Sequence, residues 1–336
     1  MSGRVVSSVS MIYRRLGRTE MMISEAGFGG WAIGGEGWGD VRDEDSLAAV
    51  QGAYELGVNF FDTADVYGHG HSEELLGQAL GEFRDRVLIA TKVGVDFTKG
   101  EPARHSYDPA YILEAVERSL ERLRTTYIDL YQLHNPPQKL TKNDALWETL
   151  ADLRARKKIR FYGISAKTAN DALAYLRFER ESGEKGRFGD TLQVAYNMID
   201  QEAADKGVFV EAFRQDWGVI ARVPLASGLL AGKYAPDHYF PPSDWRSMWS
   251  PKRVRESVER VQALRFLSRE GRPRGPQGSM AQTAIAFVLS EPAVSTVISG
   301  AKTIAQIEET VAASEMAPLP EEDLREAKRI WVEREK

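Results

Sequence analysis

The sequence predicts an α/β fold in which eight parallel strands and their connecting helices close into a (β/α)₈ TIM barrel. Short apolar runs of strand length alternate along the chain with amphipathic helical segments, and eight such runs can be counted. The runs are apolar at successive positions, as expected for parallel strands buried on both faces. With 336 residues, the chain has room for a barrel of about 250 residues and additional segments.

The predicted strands are distributed along the whole chain. They are Ile23–Phe28, Val58–Phe61, Val87–Thr91, Ile128–Leu133, Ile159–Ile164, Thr191–Tyr196, Gly218–Val223 and Val294–Ile298. Apolar residues at three- and four-residue spacing predict helices between them. The clearest helices are Asp43–Leu56, Glu73–Leu80, Pro109–Leu123 and Asp144–Arg156. The first begins with acidic residues and ends before Gly57, which are the usual start and stop signals of a helix.

Residues 12–336 are predicted to form this single domain, and residues 1–11 a flexible tail without a secretory signal. The segment Ile12–Met22 has polar turn residues near its middle and predicts a hairpin that caps the barrel floor. The proline-rich segment Tyr234–Gly278 predicts a long loop excursion on the C-terminal side, with a helix within Lys252–Arg269. Loops on that side of a barrel surround the active site.

Composition excludes several functional classes. The 44 basic and 49 acidic residues give a net charge of −5, and no block of Lys or Arg suits a nucleic-acid or lipid surface. The absence of Cys excludes disulfides, thiolate metal sites and a cysteine nucleophile. The longest apolar runs, such as Ala284–Leu289, are far shorter than the roughly 20 residues of a membrane span. We therefore expect a cytoplasmic protein that acts on small molecules, without nucleic-acid or membrane partners.

Three consecutive strands deliver titratable side chains to one rim of the predicted barrel. Asp62, Lys92 and His134 stand at their C-terminal ends, and Tyr67 lies in the loop after the first. Because an Asp or Lys at a buried strand end is costly unless it is paired, Asp62 and Lys92 are predicted to neutralise each other. An ammonium group beside Tyr67 favours its phenolate form, which makes the phenol a candidate general acid.

Each of these residues also has a structural interpretation when taken alone. An Asp–Lys pair near a rim can be purely structural, a Tyr in a loop often is, and His134 before Asn135 can hydrogen-bond a turn. Four such groups at successive strand ends favour the catalytic interpretation.

The sequence resembles the aldo-keto reductases, which are NADP(H)-dependent barrel oxidoreductases, from roughly Ile12 to Glu322. The matching segments occur in family order: FFDTADVYG (60–68), HSE (71–73) with Leu76 and Gly77, TKV (91–93), DLYQLH (129–134), GIS (163–165), PLASGLLAGKY (224–234) and ISGAKTIAQIEE (298–309). The resemblance implies that Asp62, Tyr67, Lys92 and His134 form the catalytic tetrad. It implies hydride transfer between NADP(H) and an aldehyde, ketone or sugar, with Tyr67 as general acid or base.

The resemblance also implies a cofactor site. Its residues are Ser165, Gln193, Arg222, Leu225, Ser227, Leu229, Gly300, Lys302, Gln306 and Glu309. The first two correspond to contacts with the nicotinamide carboxamide, and the last four to the segment that holds the adenosine 2′-phosphate and adenine. Leu225, Ser227 and Leu229 correspond to the loop that folds over the pyrophosphate. Two positions depart from the usual pattern. Ala166 stands where an Asn is usual, and Arg222 stands where many members have a Tyr that stacks on the nicotinamide and some bacterial members have Arg. Trp31 resembles a substrate-pocket aromatic, although a packing role is equally compatible with the sequence.

Alternative functions remain open at this point. Lys92 at a barrel rim could be the nucleophile of a Schiff-base aldolase, although a neighbouring Asp62 would hold it charged. A cofactor-binding regulatory subunit without turnover is a second alternative. The glycine-rich segment 27–39 opens no helix and is not a dinucleotide fingerprint, and His69 with His71 lacks the further ligands of a metal site, so no metal is expected. Neither the substrate nor the oligomeric state follows from the sequence.

Overall fold

Eight parallel strands close into a barrel in the computed structural model, which describes residues 11–35, 37–100, 103–268, 278–316 and 318–333. The strands are β1 (Tyr13–Arg15), β2 (Met22–Ser24), β3 (Ala26–Gly29), β4 (Phe60–Asp62), β5 (Leu88–Val93), β6 (Val95–Asp96), β7 (Arg104–His105), β8 (Ile128–His134), β9 (Ile159–Ser165), β10 (Thr191–Ala195), β11 (Gly218–Arg222) and β12 (Val294–Gly300). The barrel runs through β3, β4, β5 and β8 to β12, and β12 pairs with β3 to close it. The predicted fold class is thus confirmed.

Helices cover the outside of the barrel. They are α1 (Asp43–Glu55), α2 (His71–Leu80), α3 (Pro109–Arg122), α4 (Asp144–Ala155), α5 (Ala169–Ser182), α6 (Glu202–Asp205), α7 (Val208–Arg214), α8 (Pro251–Ala263), α9 (Met280–Leu289), α10 (Ile304–Ala312) and α11 (Glu321–Val332). The four helices predicted from periodicity begin and end within two residues of α1 to α4. In the described part of the chain, the helices are too short or too polar to cross a membrane.

Seven of the eight predicted strands match one barrel strand each, with ends within two residues. The first prediction, Ile23–Phe28, is wrong as a single strand because the structure divides it between β2 and β3. Glu25 lies at the division, where its buried carboxylate forms an ion pair of 2.7 Å with Arg14. This pair holds the chain at the point where it passes from the hairpin into the barrel.

The hairpin at the barrel floor is present as the antiparallel pair β1 and β2. Leu16, between the two strands, is fully buried in a cluster with Phe60, Leu130 and Ile220. A Cβ at Gly218 would lie only 2.7 Å from the Leu16 side chain, so the missing side chain at the start of β11 makes room for this contact. Leu16 therefore closes the bottom of the barrel.

The excursion after β11 contains α8, which begins one residue before the predicted helix Lys252–Arg269 and ends earlier, at Ala263. Residues 269–277 of the excursion lie outside the described residues, as do residues 1–10 of the predicted tail and the last three of the predicted domain. The small sheet of β6 and β7 was not predicted; its strands have only two residues each.

We expect Leu16→Ala to lower the free energy of unfolding by about 2–5 kcal/mol, because it leaves a cavity among buried side chains. Chemical denaturation measures this loss. Met22→Ala in the same hairpin is the control; its side chain is 52% exposed, and its effect should stay within about 0.5 kcal/mol. Equal, small effects of both variants would contradict a floor sealed by Leu16.

Candidate active site

A cavity of about 880 Å³ opens at the C-terminal rim of the barrel. Most of the residues predicted as functional line it, namely Trp31, Asp62, Tyr67, His134, Ser165, Gln193, Arg222, Leu225, Ser227, Gly300, Lys302, Gln306 and Glu309. Lys92 is fully buried and contacts two of these side chains. Leu229 is buried in the core and borders a smaller neighbouring cavity instead. The strand ends and the segments that follow them thus bring the predicted residues other than Leu229 into one site.

An ion pair between neighbouring strands lies at the bottom of this cavity. Lys92 Nζ is 2.5 Å from Asp62 Oδ1, donates to the Thr63 carbonyl at 2.8 Å, and lies 3.4 Å from the Tyr67 hydroxyl. Burial disfavours the charged form of Lys92, but the charge of Asp62 and the phenol of Tyr67 outweigh it and raise the pKa of Lys92 above 10.5. Lys92 is therefore an ammonium group directed at the Tyr67 oxygen.

The second oxygen of Asp62 accepts hydrogen bonds from two buried amides. Gln132 Nε2 donates to Asp62 Oδ2 at 3.0 Å, and Gln193 Nε2 donates to it at 2.8 Å. Ser165 Oγ in turn donates to Gln193 Oε1 at 3.1 Å. The catalytic candidates and the predicted carboxamide contacts are thus parts of one hydrogen-bond network.

Sequence reasoning missed Gln132, although a signal was present. It is a polar residue in an otherwise apolar strand and stands two positions before His134. Because side chains two apart on a strand point to the same face, both face the barrel interior when one does.

Two glycines fix the loop that carries Tyr67. Gly68 has φ +59°, and a Cβ there would lie 2.2 Å from the Gly34 carbonyl oxygen. A Cβ at Gly34 would lie 2.9 Å from the Tyr67 backbone. The loops after β3 and β4 therefore pack backbone to backbone, which fixes the position of the phenol relative to Lys92.

His134 is held beside Tyr67 in a neutral form. The two rings are edge to face with centroids 6.0 Å apart, and the Tyr107 hydroxyl donates to the His134 carbonyl at 2.7 Å. Burial, and then the charges of Lys92 and Arg222, hold the pKa of His134 well below 6.5. Among the described residues, its buried Nδ1 has no hydrogen-bond partner. A neutral imidazole facing a cavity can orient a polar ligand.

The two positions that depart from the family pattern contact each other. Arg222 Nη2 donates to the Ala166 carbonyl at 3.0 Å and lies 3.4 Å from the Lys167 carbonyl. Ala166 itself is fully buried. The guanidinium therefore braces the backbone after β9, a contact that single positions in the sequence did not indicate.

The far end of the cavity is formed by the loop between β12 and α10. Lys302 donates from its backbone to Gln306 Oε1 at 2.8 Å, and from Nζ to the Trp38 carbonyl at 3.0 Å. Glu309 accepts from Ser279 Oγ at 2.5 Å. Lys302 therefore brings a positive charge to the opening and contacts the loop after β3.

Three tryptophans form an aromatic wall near Tyr67. Ring centroids of Trp31 lie 5.1 Å from Trp38, 5.2 Å from Trp245 and 6.2 Å from Tyr67. Trp31 packs on these rings and is still 39% exposed, so it combines a packing contact with an accessible face. Trp38 and Trp245 were not predicted as parts of the site, because they belong to loops that are far apart in the sequence. A backbone hydrogen bond from Trp245 to the Gly37 carbonyl joins these loops in the folded chain.

Metal ligands do not cluster in the described residues, where no group of three or more His, Cys, Asp or Glu could hold an ion. His71 Nε2 instead lies 2.9 Å from Asp43 Oδ1 and ties the start of α2 to the start of α1.

Comparison with known proteins extends over nearly the whole chain. A model of the aldo/keto reductase family matches residues 25–332. The uncharacterised oxidoreductase YqkF of Bacillus subtilis is 32% identical over 316 residues, covering 93% of this chain and 94% of that protein. The NADH-specific methylglyoxal reductase of Escherichia coli is 29% identical over 320 residues, covering 89% and 92%. The holo form of aldo-keto reductase AKR11C1 from Bacillus halodurans matches with a TM-score of 0.77 at 28% identity and 96% coverage of both chains.

We expect His134→Gln to weaken the pH dependence of stability. Because the pKa of His134 is lower in the folded state, the unfolded state binds the extra proton below about pH 6.5. The unfolding free energy therefore decreases as the pH is lowered. Without this group, the slope of the unfolding free energy between pH 6.5 and 5 should decrease by at most about 1.4 kcal/mol per pH unit.

His71→Gln is the matched control with the opposite sign. Burial alone would lower the pKa of His71, but Asp43 and Glu74 outweigh it and raise the pKa. His71 therefore adds stability that is fully present below about pH 6.5 and is lost as the pH rises through its raised folded pKa. Its removal should make the slope more positive above about pH 6.5 and leave the slope between pH 6.5 and 5 almost unchanged. Denaturation at several pH values measures both slopes, and an unchanged slope in His134→Gln would contradict a His134 that stays neutral in the folded protein.

Proposed function

Since the chain belongs to the aldo/keto reductase family, as its motifs predicted, we propose that it transfers a hydride between NADP(H) and an aldehyde, ketone or sugar. Tyr67 is the general acid in reduction and the general base in alcohol oxidation. The observation that supports this most directly is the buried ammonium of Lys92, 3.4 Å from the Tyr67 hydroxyl. Family membership supports an oxidoreductase that uses a nicotinamide cofactor. The preference for NADP(H) over NAD(H) is an additional part of the proposal.

Each side chain at the bottom of the cavity has a separate role in the proposed proton transfer. His134, neutral and half-buried, orients the carbonyl oxygen by a hydrogen bond. Tyr67 then gives its proton to that oxygen as negative charge develops there. Lys92 stabilises the phenolate that is left, and Asp62 keeps Lys92 charged. When bound, the nicotinamide supplies the hydride.

The donor groups along the cavity fit a nicotinamide dinucleotide. Ser165 and Gln193 offer a hydroxyl and an amide for the carboxamide at one end, and Lys302 offers a cation for a phosphate at the other. Between them, the loop after β11 adopts positive φ at Val223 and Ser227. Such strained, non-glycine backbone is typical of ligand clamps, which supports the predicted role of this loop over the pyrophosphate.

The aromatic wall of Trp31, Trp38 and Trp245 supports a carbonyl substrate with an apolar or ring face, since π faces bind such surfaces. A Schiff-base aldolase is less well supported. A nucleophilic lysine needs an accessible, uncharged amine, whereas Lys92 is fully buried and its pKa is raised.

Tyr67→Phe should lower carbonyl reduction by about 10²–10⁴-fold, because it removes the proton donor and keeps the ring. NADPH consumption with a panel of reactive aldehydes measures turnover, and fluorescence titration should show nearly unchanged cofactor affinity. Near-normal turnover in Tyr67→Phe would contradict the assignment of the acid. Wild-type protein that binds NADPH without consuming it would instead support the regulatory subunit.

Lys302→Met should weaken NADPH binding by about 10- to 100-fold and leave NADH almost unchanged, because a charge-assisted bond to the 2′-phosphate is lost. The preference is tested on this chain because the Escherichia coli relative is named NADH-specific. Lys142→Met, an exposed site away from the cavity, controls for net charge. Equal losses for both cofactors would show that Lys302 acts through its bond to the Trp38 loop, and no loss would exclude a phosphate contact.

A further inference from the structure

Gln132 is a fully buried amide that the four proposed catalytic residues leave unexplained. Leu130 and Leu133 in the same strand are fully buried as well. A buried amide without partners would cost about 1–3 kcal/mol, so its hydrogen bonds determine whether this residue is tolerated. Both ends of the Gln132 amide have partners in the active-site network: Nε2 donates to Asp62, and Oε1 accepts from Gln193 at 3.3 Å.

The three donors to Asp62 differ in their exposure to a bound cofactor. Lys92 donates to Asp62 Oδ1, whereas Gln132 and Gln193 both donate to Asp62 Oδ2. Gln193 borders the cavity and is the proposed carboxamide contact. Gln132 lies on β8 behind the cavity wall, at the position paired with Lys92 in the strand register. Gln132 therefore binds Asp62 without bordering the cavity in which Gln193 would hold the carboxamide.

We propose that Gln132 is a positioning residue for proton transfer, which fixes the Asp62 carboxylate so that Lys92 stays directed at Tyr67. This inference rests on the proposed function. The amide also compensates part of the carboxylate charge, which would otherwise oppose the formation of a phenolate nearby. The other charged or titratable groups that face Asp62 and Tyr67 are Lys92, His134 and Arg222.

Gln132→Met tests the proposal, because it keeps a similar volume and removes both hydrogen bonds. The measurement is kcat against pH for alcohol oxidation with NADP⁺, in which Tyr67 must first lose its proton. The acidic limb of the profile of kcat against pH should move to higher pH by about 1 unit, and kcat near neutral pH should fall by roughly 10-fold. KM and the affinity for NADP⁺ should change little, since Gln132 does not border the cavity.

Thr91→Val is the matched control, because it also removes a buried hydrogen bond from the neighbouring strand. Thr91 Oγ1 donates to Glu73 at 2.6 Å, away from the network, so this variant should lose stability without a shift of the limb. If Gln132→Met does not fold, Gln132→Glu retains the size, replaces the donor by a carboxylate and should shift the limb in the same direction.

An unshifted limb in a folded Gln132 variant would overturn the proposal, whether or not kcat falls, because lost packing alone leaves the limb in place. A limb that moves equally in Thr91→Val would overturn it as well. Failure of the proposed function gives a different result, since wild-type protein would then show no alcohol oxidation with NADP⁺ at any pH.

Discussion

The rest of the site depends on the ion pair of Asp62 and Lys92, which lies almost completely out of solvent. Such a pair is costly unless both charges are fully hydrogen-bonded. Here Lys92 has three oxygen partners and Asp62 receives bonds from one ammonium and two amides. Removing either charge would leave the other buried and unpaired. The barrel supplies this arrangement by placing β4, β5 and β8 side by side.

The same network connects the two halves of the cavity. Gln193 donates to Asp62 with its nitrogen and accepts from Ser165 with its oxygen, so the proposed carboxamide site and the proton-transfer site share one amide. Arg222 braces the backbone at Ala166 directly after β9. Arg222 thus supports the backbone at Ala166, where the family usually has an asparagine. The two departures from the family pattern are therefore in direct contact.

Much of the fold could be predicted because strands buried on both faces produce apolar runs, as in Ile128–Leu133 and Ile159–Ile164. The four proposed catalytic residues were also recognisable, since a titratable residue at a buried strand end requires a partner. The division of Ile23–Phe28 could not be predicted, because the residue at the division, Glu25, pairs with Arg14 only in the folded chain. Trp38 and Trp245 were missed for a similar reason, since only the folded chain joins their loops. Gln132 was visible in the sequence, but its role required the position of Asp62.

The protonation state of Lys92 tests the central claim most directly. NMR of protein labelled with ¹³C at lysine Cε, with the Lys92 signal assigned from a Lys92→Arg variant, follows this one amine through a pH titration. Because the pKa of Lys92 is raised above 10.5, its signal should still be that of an ammonium group at about pH 10.4, where ordinary lysines are half titrated. Conversion to a neutral amine at about pH 7–8, as a catalytic lysine base or nucleophile requires, would contradict the account.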